Sequence, residues 1–466
     1  MLRSNREKQQ SYEFVSIEDL VPQDHLLRKV DKYIDFSFID DKVRPLYCAD
    51  NGRPAIDPTV LFKMIFLGYF YGIRSERQLE REIQTNLAYR WFLGLGLTDK
   101  VPDHTTMSWN RRTRFKDTTI FQDIFDEIVL QAISHRMVGG RVLVTDSTHV
   151  KANANRHQYT KEQVLQNTKD YMDELNEAVK DDRRNHGKKP LKSREEVNEE
   201  KEIKVSKTDP DSGYMIRDGK PEGFFYLDHR TVDMKYNLIT DVHVTPGNVH
   251  DSVPYLSRLD RQRERFGFQV EAVALDSGYL TTPICRGLQN RKIFAVIAHR
   301  RFHPRQGLFP KWKFEYDAKR NAYRCPAQQE LPYRTTDRKG YRQYASDPAQ
   351  CQHCPLLSQC TQSRNHRKVV TRHVWEDSKE WVRSNRLSPS GKKLYRKRKE
   401  TIERSFADAK ELHGFRYCRL RGLPNVREQA LMTAAVQNMK KMAIHLARLE
   451  KQGYPPCFSR DQSIMM

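Results

Sequence analysis

Three acidic residues of this chain lie in local contexts that suit metal-assisted chemistry on a phosphodiester. Asp146 ends the apolar run Val142-Leu143-Val144-Thr145, and Asp276 ends a second run, Val273-Ala274-Leu275, just before Ser277-Gly278-Tyr279. Glu403 lies in a strongly basic stretch of helical pattern, Lys392 to Lys410. Two carboxylates at strand ends and one on a later helix can hold hard divalent cations. Mg²⁺ takes oxygen ligands and keeps waters and substrate phosphates in its shell. Two such ions about 4 Å apart activate an attacking oxygen and stabilise a leaving one. The two aspartates converge only if their strands are neighbours, which the sequence leaves open.

On the helix, Glu400 competes with Glu403 for the third place. Lys410 follows Glu403 by two turns and so shares its face, and Lys399 precedes it by one. That face presents one carboxylate between cations able to grip phosphates. Glu400 is about 60° away and pairs better with nearby arginines. The competing reading of the whole segment is a solvated, salt-bridged basic helix.

A separate group is Cys325, Cys351-x2-Cys354 and Cys360. Four thiolates serve tetrahedral Zn²⁺, and a Cys-x2-Cys pair supplies two from one turn. The expectation is a structural zinc knuckle without a catalytic part, with His353 as an alternative ligand and free surface thiols as the competing reading. Cys48, Cys285, Cys418 and Cys457 read as ordinary buried or free thiols.

These residues need a scaffold. Asp57-Pro58 feeds a mostly apolar helix over Thr59 to Gly72. Ser75 caps an amphipathic helix to Asn86, and a short helix carries Tyr89, Trp91 and Phe92. Pro102 to Thr106 caps a fourth helix, Met107 to Phe115. With the basic cluster Arg111, Arg112 and Arg114, this pattern fits a helix-turn-helix-like DNA-binding module or a plain helical scaffold. A helix from Ile120 to His135 leads to the strand ending at Asp146. Residues 156–207 are rich in mixed charge and read as an insertion, its first half an amphipathic helix over Val164 to Val179 and its second half loop. A hairpin follows, Phe224 to Met234 and Leu238 to Val244, turning at Lys235-Tyr236-Asn237. A helix from His250 to Arg265, the strand at Asp276, a helix near Pro283 to Asn290 and a strand from Ile293 to Ala298 complete a mixed α/β pattern. A helix from Val426 to Leu449 closes the chain.

The 466 residues carry a formal net charge of +22, with 38% hydrophobic and 30% charged residues. That describes a soluble, surface-rich protein of two or three domains with a polyanionic partner, nucleic acid first. The N-terminus has no apolar stretch of a secretory signal, and no run approaches the length of a membrane span.

Taken together, these motifs resemble a bacterial insertion-sequence transposase of the DDE type. The segment Gly52-Arg-Pro-Ala-Ile-Asp-Pro, then Ser75-Glu-Arg-Gln-Leu-Glu and Pro102-Asp-His-Thr-Thr, is similar to that family's helical N-terminal domain. Val144-Thr-Asp146-Ser-Thr and Ala274-Leu-Asp276-Ser-Gly-Tyr resemble its first and second Asp motifs, and Thr245-Pro-Gly-Asn-Val-His-Asp251 its segment before the core helix. Ile402-Glu403-Arg-Ser-Phe406-x3-Lys410-x2-His-Gly414-Phe415, followed by Arg419-Leu-Arg-Gly422, resembles its Glu motif. In the family's Tyr-x2-Arg-x3-Glu-x6-Lys pattern the Glu-x6-Lys half is intact. Tyr395, however, lies eight residues before Glu403 instead of seven, and Lys399 stands in place of Arg.

The resemblance implies an α/β fold: a retroviral-integrase-like (RNase H-like) mixed-sheet core with a helical N-terminal domain and a Cys-rich insertion. The expected division is 1–125 helical and DNA-binding; 136–300 the first part of the core, with the charged insertion 156–210; 301–390 the insertion with the zinc knuckle; and 391–450 the helices that complete the core. It implies Asp146, Asp276 and Glu403 as ligands of Mg²⁺ or Mn²⁺, and Lys410 as a contact to transposon-end DNA, with Lys399, Arg404, Arg111, Arg112 and Arg114 as further DNA cations. The implied reaction is cleavage at terminal inverted repeats and strand transfer into target DNA, by a cytoplasmic, nucleoid-associated homodimer on double-stranded DNA with no membrane partner. A metal-dependent nuclease without strand transfer and a catalytically inactive DNA-binding regulator are the competing functions.

Overall fold

Five short apolar runs assemble into one mixed sheet. In the computed structural model, which describes residues 14–48, 55–165, 169–191, 200–216, 222–299 and 307–454, strand β1 is Val142–Lys151, β2 Gly223–Asp233, β3 Leu238–Pro246, β4 Ala272–Leu275 and β5 Phe294–Ile297. β1 pairs antiparallel with β2, and β2 with β3. On its other side β1 pairs parallel with β4, and β4 with β5. The resulting order is β3-β2-β1-β4-β5, with the short strand Gly213–Met215 paired to the start of β2. The expected mixed sheet is therefore present. Val273, Ala274 and Leu275 of β4 are fully buried, as a central parallel strand covered on both faces requires.

The N-terminal third is helical. Asp57 caps the helix Pro58–Phe70 by accepting from the amide of Thr59 at 2.7 Å, with Pro58 at the first helical position. Ser75 caps Glu76–Thr85. The fourth helix, expected from Met107, begins three residues earlier as His104–Arg112, because Asp103 accepts from the Thr105 amide at 2.6 Å. A continuous apolar core joins these helices to the sheet. The 29-residue helix Leu423–Lys451 runs through it, packing on β3 and on the helices Ile120–Ser134, Leu26–Tyr33 and Pro58–Phe70. No helix among the described residues is long and apolar enough to cross a membrane.

Three expectations need correction. β1 does not stop at Asp146; it runs five residues further, because the hairpin with β2 continues to the pair Lys151↔Phe225. The helix expected from Val164 begins at Lys169; Val164 lies in a strand, Tyr159–Leu165, paired with Glu200–Ser206, so the charged insertion is a ribbon bracketing the helix Lys169–Asn185. Residues 192–199, within the expected loop, lie outside the described residues. The helix expected from His250 begins at Tyr255, after the turn at His250 to Pro254.

The Cys-bearing segment holds a sheet of its own. Glu315–Asp317, Ala322–Arg324, Glu330–Thr336, Tyr341–Ala345 and Val369–His373 form a five-stranded sheet over a small core of Phe314, Tyr323, Leu331, Tyr344 and Val370. The chain then returns to the central sheet through the helix Glu376–Leu387, which packs on β5.

Candidate active site

Register alone brings the two aspartates together. Thr145 of β1 is paired with Leu275 of β4, so Asp146 and Asp276, each one residue further, are neighbours where the parallel pair ends. The carboxyl ends of parallel strands are where open α/β sheets form clefts. The β-strand alternation puts Thr148 on the same face of β1 as Asp146.

Glu403 is brought to that face by a buried polar network. Arg230 lies opposite Asp146 on β2 and is fully buried. Its guanidinium donates to Asp228 at 2.7 Å, to Gln437 of the closing helix at 2.7 Å and to Ser405 Oγ at 3.4 Å. Gln437 in turn donates to the Ser405 carbonyl at 3.0 Å. The helix start just after Glu403 is thus fixed to β2 and to the closing helix at once. Nε and Nη1 of Arg230 have acceptors while Nη2 is buried without one, so the buried cation persists through its ion pair with Asp228.

Between the helices Pro389–Arg398 and Arg404–Glu411 the backbone makes a π turn, Lys399–Glu403. Single π turns carry one residue more than an α turn and occur often at functional sites. Here the extra residue accounts for the spacing that departs from the family pattern. Tyr395-x2-Arg398 is the Tyr-x2-Arg pair, and the π turn returns Arg398 to the face of Glu403. Lys399 therefore does not stand in place of the arginine; it is exposed to solvent. The Thr401 hydroxyl donates to the Arg398 carbonyl at 2.9 Å and to the Lys397 carbonyl at 3.3 Å, supplying donors to the loosened ladder.

Arg398 ties the site together. Its guanidinium pairs with Asp146 and reaches Glu403 Oε1 at 3.2 Å. Asp276 acts on Asp146 from the neighbouring strand, and among the described residues the three acids do not form a group whose oxygens all lie within 4.8 Å of one another. The donors are all hard oxygens, as Mg²⁺ prefers. Burial pushes the Asp146 carboxyl up to about 6; Arg398 pulls against this, while Asp276 and Asp251 add to it. One guanidinium leaves the pocket short of positive charge, so a divalent cation fits it.

Asp251 is a fourth acid here, without a role in the sequence reading. It accepts from Ser147 Oγ at 2.7 Å, beside Asp146. A side chain at Gly278 would place its Cβ 3.0 Å from Asp251 Oδ2. The signal lay in Val249-His250-Asp251, in a segment that carries no strand or helix to aim it.

The expected cations divide. Lys410 Nζ donates to Thr148 Oγ1 at 2.6 Å, two residues from Asp146 and on the same face. Arg404 and Arg112 are exposed. Arg114 stacks on Tyr47 at 3.8 Å. Arg111 is turned inward, bonded to Glu76 and to the buried Glu428 of the closing helix, both at 2.7 Å. It is a strut between the helical unit and the core, not an exposed base for DNA.

Cys325, Cys351, Cys354 and Cys360 line one small cavity of about 30 Å³ in the Cys-bearing sheet. All four are free thiols, and no three of their sulfurs lie within 4.8 Å of one another. Burial raises the Cys360 thiol, and the other three cysteines act on it in the same direction. Cys48 is exposed, Cys285 and Cys418 are buried, and Cys457 lies outside the described residues. The one compact group of metal-compatible side chains among the described residues is Glu80, Asp103 and His104. It belongs to the helical unit and is occupied in capping: Glu80 accepts from the His104 amide at 3.0 Å and Arg77 donates to its ring at 3.1 Å.

Two family models match the chain. One described as a transposase domain (DUF772) matches residues 15–113, and one described as a transposase DDE domain matches residues 324–443, which contain Glu403 and Lys410. Among solved structures, the chain is similar to the cryo-EM structure of a piggyBac transposase synaptic complex with hairpin DNA. That similarity has 9% identity and a TM-score of 0.37, over 93% of this chain and 76% of that one. No curated protein matches.

Proposed function

We propose that this chain, which matches one transposase domain model and one transposase DDE domain model, is a DDE transposase that cuts DNA at the terminal inverted repeats of an insertion sequence and joins the freed 3′-hydroxyls to target DNA. The observation that carries this reading is the adjacency of Asp146 and Asp276 where the two central parallel strands stop pairing, with Glu403 tied to Asp146 through Arg398. Asp146, Asp276 and Glu403 would hold the divalent metal, Mg²⁺ or Mn²⁺, whose charge would favour both the attacking and the leaving oxygen. Arg398 offsets the charge of Asp146 and Glu403 while the site holds no metal. Lys410, Lys399, Arg404, Arg112 and Arg114 contact DNA phosphates. The protein acts as a homodimer pairing two ends, in the bacterial cytoplasm at the nucleoid.

The test is a strand-transfer assay with a pre-cut terminal repeat and a plasmid target. Joined product that depends on Mg²⁺ or Mn²⁺ supports the reading, and cleavage without joining marks a nuclease.

For the cysteines we propose a structural Zn²⁺ ion held by Cys325, Cys351, Cys354 and Cys360. The fit lies in four thiols around one cavity, which ligation at about 2.3 Å per Zn–S bond would draw together. Purified protein is expected to contain one zinc per chain, and Cys351→Ser to lose it and melt at lower temperature; zinc content unchanged by that substitution rejects the assignment.

A further inference from the structure

A second cationic site lies away from the three acids, where the helical unit meets the segment preceding the closing helix. It is a pocket of about 290 Å³ with an apolar floor that includes Leu79 and a rim of Arg74, Arg77 and Arg419. Gly68 keeps the floor open, since a Cβ there would come within 3.3 Å of Leu79. Arg111, in the same wall, is paired with two carboxylates. The three rim arginines are not: among the described residues none of them makes an ion pair. Arg74 lies over Tyr417 at 5.8 Å, and Arg77 donates to His104. Arg419 lies over the Tyr69 ring at 4.6 Å, reaches the Gly68 carbonyl at 3.4 Å, and has a buried Nε with no acceptor. Burial pulls its pKa down, with Arg74 and Arg111 pushing the same way. Glu76, in the same wall, is paired with Arg111 and also acts on Arg419, so four arginines share one lining carboxylate; that excess of positive charge makes an anion site, and planar forked donors suit phosphate in particular.

The pocket is also tied to the strand that carries Asp146. The amide of Cys418 donates to the Lys151 carbonyl at 2.9 Å, and that of Lys151 to the Arg416 carbonyl at 3.4 Å, so the segment bearing Arg419 is laced to the far end of β1. At about 3.3 Å per residue, Lys151 is roughly 17 Å from Asp146 along the strand. That distance is about five base-pair rises. Lys410, held by Thr148, stands between the two.

We propose that this pocket docks a backbone phosphodiester of the bound DNA, roughly five base pairs from the strand end held at Asp146, with Arg419, Arg77 and Arg74 as its donors. The proposal rests on the reading of the protein as a DNA-cutting transposase, and it adds a fixed second grip that sets the register of the cut end. A phosphate contact carries no sequence information, so a fluorescein-labelled blunt duplex of arbitrary sequence serves as probe. Its binding to the full-length protein is followed by anisotropy across a KCl series. Arg419→Gln is expected to weaken binding about tenfold and to make the slope of log K against log salt shallower by about one. Arg419→Lys should restore most of the slope. If Arg419→Gln fails to fold, the double variant Arg74→Gln/Arg77→Gln, on exposed side chains, carries the same expectation. Unchanged affinity and slope in these variants overturn the pocket while leaving the transposase reading intact. A wild-type protein that does not bind the duplex overturns both.

Discussion

At the scale of single residues, the site depends on an acid kept partly unsatisfied. Asp146 is raised to about 6, where an ordinary aspartate lies near 3.9. A carboxyl raised in the folded state stabilises the fold while protonated, and that contribution is lost as pH rises through about 6. The gap of about two pH units corresponds to on the order of 3 kcal/mol. Asp146→Asn removes it. The metal-free wild type is therefore expected to melt progressively below Asp146→Asn as the pH is raised from about 4 to about 6, with the difference levelling off above that; melting curves with a constant difference from about 4 to about 6 contradict it. Asp146 and Asp276 were legible in the sequence because each ends an apolar run before a polar turn. Arg398 was not. Five residues before Glu403 on a regular helix, it points about 140° away, and only the π turn corrects this. Asp251 was not legible either, because its partner Ser147 is brought to it by tertiary packing alone.

At the scale of elements, the π turn Lys399–Glu403 does the positioning. It absorbs one residue, so deleting Glu400 should let the segment close to a regular α turn with Arg398 and Glu403 still on one face. That deletion is expected to keep cleavage within about tenfold of wild type, close to 1.4 kcal/mol. An alanine inserted between Glu403 and Lys410 rotates the two apart by about 100° and should abolish cleavage. Cleavage assays on the two variants decide it; equal loss in both shows that the turn is not a register device. The sheet order was partly legible: the hairpin of β2 and β3 follows from its alternation and its turn residues. The extension of β1 past Asp146 did not, since Ser147 to Lys151 is too polar to announce a strand. It forms because β2 offers a partner along its full length.

At the scale of the molecule, the helical unit and the catalytic layer are one packed body. The closing helix joins them through Gln437, which holds Arg230, and Glu428, which holds Arg111. The sequence suggested Arg111 as a DNA contact because three arginines cluster there; its inward direction depends on Glu428, more than three hundred residues away. Breaking a buried pair strands a charge and costs about 3–5 kcal/mol. Arg111→Ala is expected to lower the unfolding free energy read from urea melts by that amount. Unchanged stability with weakened DNA binding instead returns Arg111 to the role first read from its sequence.

The central claim is that Asp146, Asp276 and Glu403 form a single metal-dependent site for cutting DNA. It is tested most directly by comparing wild type with Asp146→Asn, Asp276→Asn and Glu403→Gln for Mn²⁺-dependent nicking of a terminal-repeat duplex, with binding of that duplex measured in parallel. The expected result is loss of nicking by about a thousandfold or more, about 4 kcal/mol, in each variant, with duplex binding kept. Nicking at the wild-type rate in any one of the three would contradict the account.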